Sequence, residues 1–539
     1  MADFTGAQYA ADEVLAGIKK NQLAGLPPAN MTSFSAKGDN QSAKIRFTAP
    51  SNTVVDGQLL CTVKGVMIRR KQGAAPASLT DGELVLDVSG EHIHDYETEA
   101  YIDGDLENGL EYFYKAFAYS DHGVYNLDDE NVISVVPSEK APVWGFHQDF
   151  NNLSPANNGS GTITYPADVE NSDFAPAMTN RGTGSVTMGS WNDFLDNVLK
   201  NFPHIVDVAT QRSVGELNPD DYTKMKDGSA SSISSCRYAA AWINKIYMKE
   251  VYAADGNSRD VYFAADNEHS NTEDFVPVGF YDQDNVELEG IWIPMFYMDA
   301  SGNTRSGTTP INSKTCDQEK AIIDGVNGRA IFLGGPILNV LRDIEYMIFR
   351  STDIQTYAGR GNCQSYSSTS ATGVKANAVI GGGRFYGTND KKSLNKLFHS
   401  IVLGSYQLST RDPYMITING RMYLSGHYKY SLSGAGYEDT GITVTSNSGS
   451  WTYAKKTKAT AQNGSIPDPA SKDATSSTGL CDGQYYNNAD TRVARRLGHT
   501  NYDLNAGPAC VDFRNEASNA YWHCGVGCAL LPSAGYAPA

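Results

Sequence analysis

The first residues of the chain repeat apolar side chains with the period of a helix. In the segment 7–24, Val14, Ile18 and Leu23 fall near one face. Two consecutive prolines follow, which end a helix. The pattern predicts an amphipathic helix within a first segment, 1–28. It is interpreted as an attachment or oligomerisation helix, with a frayed terminal helix as the alternative.

Residues 29–137 show a different pattern, because short runs rich in β-branched and aromatic residues alternate with turn clusters. This spacing is typical of a β-sandwich. The sequence therefore predicts one all-β domain at 29–137. The predicted strands lie within 31–36, 43–50, 61–71, 83–88, 110–120 and 131–137.

From Ser138 onward, long Gly/Asn/Ser loops alternate with short strands and a few helices. Few helices and many irregular loops indicate an α+β domain over 138–539, with 439–480 as an extended surface loop. Helical spacing occurs in 191–201, 336–351 and 393–403, and strand-like runs occupy 261–266, 290–298, 414–420 and 525–531.

The net charge and the hydropathy of the chain limit the kinds of partner that it is expected to bind. Lys and Arg number 43 and Asp and Glu 61, which gives −18 over 539 residues and disfavours nucleic-acid binding. No run of about 18 apolar residues occurs, and the N-terminus lacks a basic start followed by an apolar core. We therefore expect neither membrane insertion nor a secretory signal, and we expect synthesis in a host cytoplasm.

The motifs of common enzymes and metal sites are missing from the sequence. There is no nucleophile elbow, no H-E-x-x-H and no P-loop. The eight cysteines are scattered, and the His92-Ile-His94 pair has no third ligand nearby in the sequence. We therefore predict no metal, no cofactor and no enzymatic activity. Abundant Asp and Glu leave a glycan hydrolase open.

Several segments resemble phage tail proteins. Residues 65–71, 80–82 and 103–114 look like a fibronectin type III domain from tail proteins of phages and prophages of gut Firmicutes. The resemblance implies a spacer. It continues through 143–146, 221–229, 294–306, 338–361 and 387–390. In that family the C-terminal part is similar to the C-type lectin fold in its formylglycine-generating-enzyme-like version.

The C-terminal segments 495–510 and 511–531 look like the variable region of a diversity-generating retroelement target. Such systems randomise adenines of Asn codons, which cannot produce Lys, Glu, Gln, Met or Trp. Residues 485–539 contain no Lys, Gln or Met, whereas Glu516 and Trp522 break the rule and must be fixed. The resemblance places a variable region at about 485–531.

Within this region, large side chains alternate with small ones, which favours a binding face rich in Tyr, Phe and Arg. The alternative is an ordinary β-rich terminus. Strand alternation predicts that Tyr521 and His523 face solvent, with Trp522 between them as a buried structural anchor. The predicted receptor-binding residues are His499, Tyr502, Asp503, Leu504, Asp512, Phe513, Arg514, Tyr521, His523 and Cys524.

Together these features predict a tail-fibre receptor-binding protein, located at the fibre tip of the virion. Its expected fold is a short N-terminal helix, an all-β fibronectin type III-like sandwich and an α+β C-type lectin-like domain. Expected partners are a bacterial surface receptor, either protein or glycan, other tail proteins through the N-terminus, and two further copies in a homotrimer. The alternatives are a virion-associated glycan depolymerase and a structural tail-tip adaptor.

Overall fold

The computed structural model describes residues 26–55, 58–97, 99–138, 143–265, 274–364, 373–447 and 449–538. The helix predicted at 7–24 lies outside them. Strand accounts for 34% of the structure and helix for 10%, so the protein is mostly β. The chain divides into two compact units, Met1–Lys140 and Ala141–Ala539. In the described part, no helix is long and apolar enough to cross a membrane.

The first unit contains a three-stranded sheet in the order β1-β2-β7, a four-stranded sheet in the order β6-β5-β8-β9 and the hairpin β3-β4. Each of the six segments predicted to form strands contains one. The strands are Ser33–Asp39 (β1), Ser42–Thr48 (β2), Thr53–Val55 (β3), Gln58–Cys61 (β4), Val63–Gln72 (β5), Glu83–Ser89 (β6), Tyr101–Asp103 (β7), Tyr112–Ser120 (β8) and Val132–Val135 (β9). A 3₁₀ helix spans Gly90–Glu97.

One hydrophobic core joins the two larger sheets of this unit. Along β2, buried residues alternate with partly exposed ones, so that Ile45 and Phe47 point inward. From the other sheet, Ile68 of β5 and Tyr114 of β8 enter the same cluster. The alternating residues of the sequence in β2 therefore correspond to its buried and its partly exposed faces.

The second unit begins with β10 and holds the remaining strands. Its strands are Val143–Asp149 (β10), Ile163–Thr164 (β11), Met178–Thr179 (β12), Val186–Thr187 (β13), Pro203–Asp207 (β14), Arg212–Glu216 (β15), Ala239–Asn244 (β16), Tyr247–Tyr252 (β17), Ser258–Ala264 (β18), Gly290–Pro294 (β19), Ala330–Phe332 (β20), Ser409–Ile418 (β21), Arg421–Leu424 (β22), Glu438–Thr443 (β23), Thr457–Ala459 (β24), Ser465–Pro467 (β25), Gln484–Tyr485 (β26), Thr491–Leu497 (β27), Gly507–Asp512 (β28), Cys524–Gly525 (β29) and Cys528–Leu530 (β30).

Two large sheets organise this unit. One is six-stranded, in the order β15-β14-β16-β19-β30-β20; the other is seven-stranded, in the order β23-β22-β21-β27-β28-β26, with β29 added parallel to β21. The last strands of the chain thus enter both sheets. Smaller sheets are β11-β10-β18-β17, β12-β13 and β24-β25.

The helices of the second unit are short, apart from one that is wholly buried. They are Trp191–Asp193 (α1), continued by the π-helical turn Phe194–Val198, then Cys316–Asp324 (α2), Pro336–Phe349 (α3), Ile354–Tyr357 (α4) and Ile401–Gly404 (α5). A 3₁₀ turn follows at Asp503–Asn505. Every side chain of α3 is buried, and Pro336 occupies its first turn, which confirms the helix predicted at 336–351.

One helix prediction needs correction, and one helix was not predicted. The helix predicted at 393–403 is reduced to α5, because Phe398 and His399 adopt positive φ angles of 49° and 63°, which a helix cannot contain. The sequence reading also missed α2. Helix α2 begins with a capping box. The Thr315 hydroxyl oxygen accepts from the backbone N–H of Gln318, and the side-chain oxygen of Gln318 accepts from the backbone N–H of Thr315.

The segment 439–480, predicted as a surface loop, is partly interior. Ile466 of β25 is 1% exposed, and the neighbouring Ser465 is fully buried. The Ser465 carbonyl accepts from Arg342, 3.0 Å away. The polar composition therefore reflects buried hydrogen bonding as well as exposure.

Candidate functional site

The C-terminal segment forms most of a pocket of about 460 Å³, which we call the C-terminal pocket. Its walls come from β27 and the loop after it, from the residues after β28 and from the turn before β29. A further wall comes from the loop before β24. The lining residues are Trp451, Arg495, His499, Asn501, Tyr502, Arg514, Asn515, Tyr521, Trp522 and His523.

A buried charge cluster supports the floor of this pocket. Arg495 of β27 lies opposite Asp512 of β28 in the antiparallel ladder, and their side chains form an ion pair. Arg514 donates from Nη2 to Asp512 over 2.7 Å and from Nε over 3.0 Å. Tyr502 donates its hydroxyl hydrogen to the same carboxylate. Strand pairing thus places two guanidinium groups and a phenol on one carboxylate.

The electrostatics of the floor follow from this geometry. Burial raises the pKa of Asp512, but the charge of Arg495 and the hydrogen bonds from Arg514 and Tyr502 outweigh it, and the pKa falls to about 2. Burial lowers the pKa of Arg495, but Asp512 more than compensates and the pKa is raised. The floor therefore holds two cations and one anion at neutral pH.

Aromatic rings fix the guanidinium of Arg514. Its central carbon lies 4.6 Å from the ring centre of Tyr485, 4.9 Å from that of Trp451 and 5.5 Å from that of Tyr502. The side chain is nevertheless 35% exposed. Arg514 is therefore held rigidly while part of it faces the pocket.

The opposite wall is a stack of flat rings. The His499 and His523 rings are 4.5 Å apart and 16° from parallel, and the His523 and Tyr521 rings are 4.9 Å apart and 11° from parallel. Trp522 meets His523 edge-on, 5.4 Å away. Burial, then the charge of Arg495, lowers the pKa of His523 to about 3, and burial also lowers the pKa of His499 well below its ordinary value. Both imidazoles are neutral at pH 7.

Five of the ten predicted site residues line the pocket: His499, Tyr502, Arg514, Tyr521 and His523. Asp503 lies in a 3₁₀ turn, where it pairs with Lys391 at 2.8 Å. Leu504 is 38% exposed but does not line the pocket. The structure thus gathers half of the predicted set into one concave surface.

Five of the predicted surface residues are buried, so their predicted exposure is wrong; two of them, His499 (5% exposed) and Tyr502 (4%), still line the pocket. Asp512 is completely buried beneath the pocket, and Phe513 is completely buried, stacked on Tyr486 at 5.9 Å. Cys524 is completely buried on β29. Asp512 ends β28, which lies between β27 and β26 in the seven-stranded sheet, and Cys524 belongs to β29, which pairs with β21.

The predicted strand alternation around Trp522 is also wrong. Residues 521–523 precede β29 and do not form a strand. Trp522 is partly buried and lines the pocket, so it is not a core anchor. Tyr521, 38% exposed, does share a face with His523, but through ring stacking in a turn.

The sequence reading missed four lining residues: Trp451, Arg495, Asn501 and Asn515. The two asparagines had a signal, since they are Asn positions inside the proposed variable region. No sequence signal marks Arg495, because its position at the pocket depends on its pairing with Asp512. Trp451 lies far upstream, and only the fold brings it near.

A second pocket, of about 700 Å³, lies elsewhere in this unit. Its lining includes Asp196, Asp220, Arg384 and Tyr386, together with a loop of three glycines at 381–383. Arg384 forms an ion pair with Asp196. Gly381 has a positive φ of 52°, and a Cβ there would lie 2.2 Å from the Tyr386 ring, so glycine is required.

A buried amine lies behind this second pocket. Lys396 is fully buried and donates to the Tyr222 hydroxyl and to the Gly381 carbonyl, both over 3.0 Å. Burial lowers its pKa to about 7. The Tyr222 hydroxyl also lies 2.6 Å from Nδ1 of His399, which lines the pocket.

The described residues contain no cluster of three or more His, Cys, Asp or Glu side chains suited to a metal ion. The eight cysteines are buried free thiols. Burial raises the pKa of Cys528, and burial also raises that of Cys524. Neither thiol has the depressed pKa of a reactive cysteine.

Comparison with known proteins does not assign this chain to a family. No family model matches the sequence, and no curated protein matches it. A solved structure entitled "Titin kinase and its flanking domains" aligns at 10% identity with a TM-score of 0.14, covering 60% of this chain and 48% of that one. The chain thus spans about half the length of that structure. A TM-score this low assigns neither fold nor function.

Proposed function

We propose that this chain is the receptor-binding protein of a phage or prophage tail fibre. Its second unit is proposed to be a C-type lectin-like domain with a diversified C-terminal surface that binds a bacterial surface receptor. The first unit, with its three- and four-stranded sheets around one core, is proposed to be a fibronectin type III-like spacer. The functional form is proposed to be a homotrimer.

The observation that carries this proposal is the C-terminal pocket. The segment that resembles a variable region supplies most of its lining, and rigid aromatic and arginine side chains are the usual anchors of binding surfaces. The scaffold beneath is buried and hydrogen bonded, whereas Tyr521 and Asn501 at the rim are exposed. Such an arrangement allows the rim to change while the fold is kept.

The test is adsorption of particles that carry Tyr521→Ala together with Asn501→Ala. Both side chains are exposed, so the fold should be unaffected. Loss of about 2 kcal/mol of binding energy lowers the affinity about 30-fold, and adsorption should fall accordingly.

Val214→Ala is the control, because Val214 is 69% exposed in the same unit and lies outside both the pocket and the predicted variable region. Its adsorption should equal that of the parent. Unchanged adsorption of the double variant would remove the receptor-binding role from this pocket.

A glycan depolymerase remains the second candidate, because the second pocket carries two carboxylates, Asp196 and Asp220. Glycosidases need such a pair, one member of which is protonated. Asp196 forms an ion pair with Arg384, so Asp220 is the carboxylate to replace in a test. Reducing-sugar release from host polysaccharide by the parent, abolished by Asp220→Asn, would favour this function over simple binding.

A further inference from the structure

The C-terminal pocket has an unusual balance of charge for this protein. The chain carries 61 acidic and 43 basic residues, yet among the described residues that line this pocket there is no Asp or Glu. Its polar side-chain groups belong to two arginines, two histidines, two asparagines, two tyrosines and two tryptophans. Arginine is a donor only, and asparagine can donate through its amide nitrogen. The lining therefore favours an acceptor-rich, negatively charged ligand.

The charges behind the lining do not cancel this preference. Asp512 is the carboxylate that neutralises the floor, and it is shared between Arg495 and Arg514. With both histidines neutral, one net positive charge remains. Burial beneath the pocket keeps the surrounding water from screening that charge fully.

Arg514 offers a specific donor for an anion. Its Nε and Nη2 donate to Asp512 and Tyr502, whereas Nη1 makes no hydrogen bond within the described part of the chain. Contacts with three aromatic rings, together with the hydrogen bonds to Asp512, hold the guanidinium in place. A fixed, partly free guanidinium is suited to a carboxylate.

His523 supplies a second donor. Its Nε2 accepts from Arg495, which leaves its proton on Nδ1. Because Arg495 is permanently charged, this tautomer is fixed by the floor of the pocket. The imidazole therefore presents an N–H group, and the column that it forms with Tyr521 presents flat apolar faces beside it.

We infer that the C-terminal pocket binds an anionic pyranose, a sugar ring that carries a carboxylate, such as a hexuronic acid at the end of a bacterial surface glycan. The carboxylate is received by Arg514, and the ring lies against Tyr521 and Trp522. A pocket of about 460 Å³ is within the range of small-ligand sites. The inference rests on the proposed function and names its ligand.

An acidic peptide is the competing ligand, since it too offers carboxylates. The wall of exposed rings favours the sugar, because a pyranose presents a flat C–H face that packs on an aromatic ring, whereas Asp and Glu side chains do not.

The experiment compares methyl β-D-glucuronide with methyl β-D-glucoside, which lacks the carboxylate, on the full-length protein. Binding is measured by ligand-observed saturation-transfer NMR and by titration calorimetry. We expect the glucuronide to bind at least ten-fold more tightly than the glucoside. Arg514→Gln should abolish the difference, and Arg514→Lys, which keeps the charge but not the planar guanidinium with its Nη1 donor, should retain part of it.

Arg421→Gln is the matched control, since Arg421 is a partly exposed arginine of the same sheet, paired with Asp439 and outside the pocket. It should bind as the parent does. Thermal unfolding of each variant separates lost binding from lost fold, and Tyr521→Ala, which leaves the charge cluster intact, provides a second variant. It should weaken glucuronide binding at least ten-fold.

Equal binding of both sugars, binding retained by Arg514→Gln in a folded protein, or preference for an acetylated tri-glutamate peptide would each overturn the inference. Its failure is distinguishable from failure of the proposed function. Adsorption lost in the rim variant without glucuronide binding leaves the receptor-binding role intact and removes the sugar. Glucuronide binding with unchanged adsorption supports the sugar site and removes the receptor-binding role.

Discussion

Replacing Asp512 by Asn should weaken the second unit strongly, because the carboxylate is the shared partner of two guanidinium groups. Arg495 has only 2% of its side chain exposed and would keep a buried charge without its counter-ion. Breaking a buried pair in this way costs about 3–5 kcal/mol of unfolding free energy. The pKa of about 2 gives an independent figure, since about two units below the unfolded value correspond to about 2.6 kcal/mol.

The sign of the pH dependence follows from the lowered pKa. The folded state favours the ionised carboxylate, so its contribution is present above the unfolded pKa of about 4 and is lost as the pH falls through about 2. The difference between parent and Asp512→Asn should therefore be constant from about pH 5 to pH 8. It should shrink toward pH 2.

Denaturant unfolding followed by tryptophan fluorescence measures this difference. All six tryptophans lie beyond residue 140, so the signal reports the second unit alone. Asp439→Asn is the matched control: Asp439 is half exposed and paired with Arg421, and its replacement should leave the unfolding free energy almost unchanged. A loss below about 1 kcal/mol for Asp512→Asn, or a difference that grows on acidification, would refute the reasoning.

Three further changes test other buried groups. Burial raises the pKa of Glu345 to about 8, so the stability of the parent falls as the pH rises from about 4 toward 8. In denaturant titrations, Glu345→Gln should therefore raise the unfolding free energy by about 3–5 kcal/mol at pH 8 and by little at pH 4. The pKa of Lys396 is lowered to about 7, so this buried amine destabilises the folded state increasingly as the pH falls from about 10. In thermal unfolding, Lys396→Met should be more stable than the parent at pH 6. At pH 10 it should be less stable, because there the only effect of the change is the loss of the two hydrogen bonds. Trp522→Ala should cost well under the roughly 3–5 kcal/mol expected for the fully buried Trp242→Ala, and equal losses in urea titration would place Trp522 in the core.

The parts of the fold that local pattern determines were predictable. Helix α3 has Pro336 at its start and a long apolar run, and period-two alternation along β2 places Ile45 and Phe47 inward. The helix expected at 393–403 had the right spacing, but left-handed backbone at Phe398 and His399 interrupts it, so helix α5 begins only at Ile401. Spacing alone could not reveal that, because tertiary contacts override propensity.

The site was predictable in location and not in composition. Residues such as Tyr521 and Arg514 could be found in the sequence because they stand in a segment of large and small residues. The sequence could not show that Tyr521 and Arg514 reach the surface while Asp512 and Phe513 are buried. Which side chains face inward depends on the register of β27 against β28. Trp451 enters from another part of the chain, a contact that follows from long-range topology.

The division between buried floor and exposed rim leads to a last prediction about how this surface varies. If the C-terminal segment is diversified at adenines, a near-copy of its codons lies close by in the genome. Codons for exposed or partly exposed pocket residues such as Tyr521 and His523 should differ from that copy at adenine positions. Codons for Asp512 and Phe513 should match it, because substitution there would unpair Arg495 or leave a cavity, at a cost of about 3–5 kcal/mol. Sequencing the flanking DNA decides the matter. Mismatches concentrated at 512 and 513 would mean that variation falls on the core, which contradicts a scaffold that separates stability from recognition.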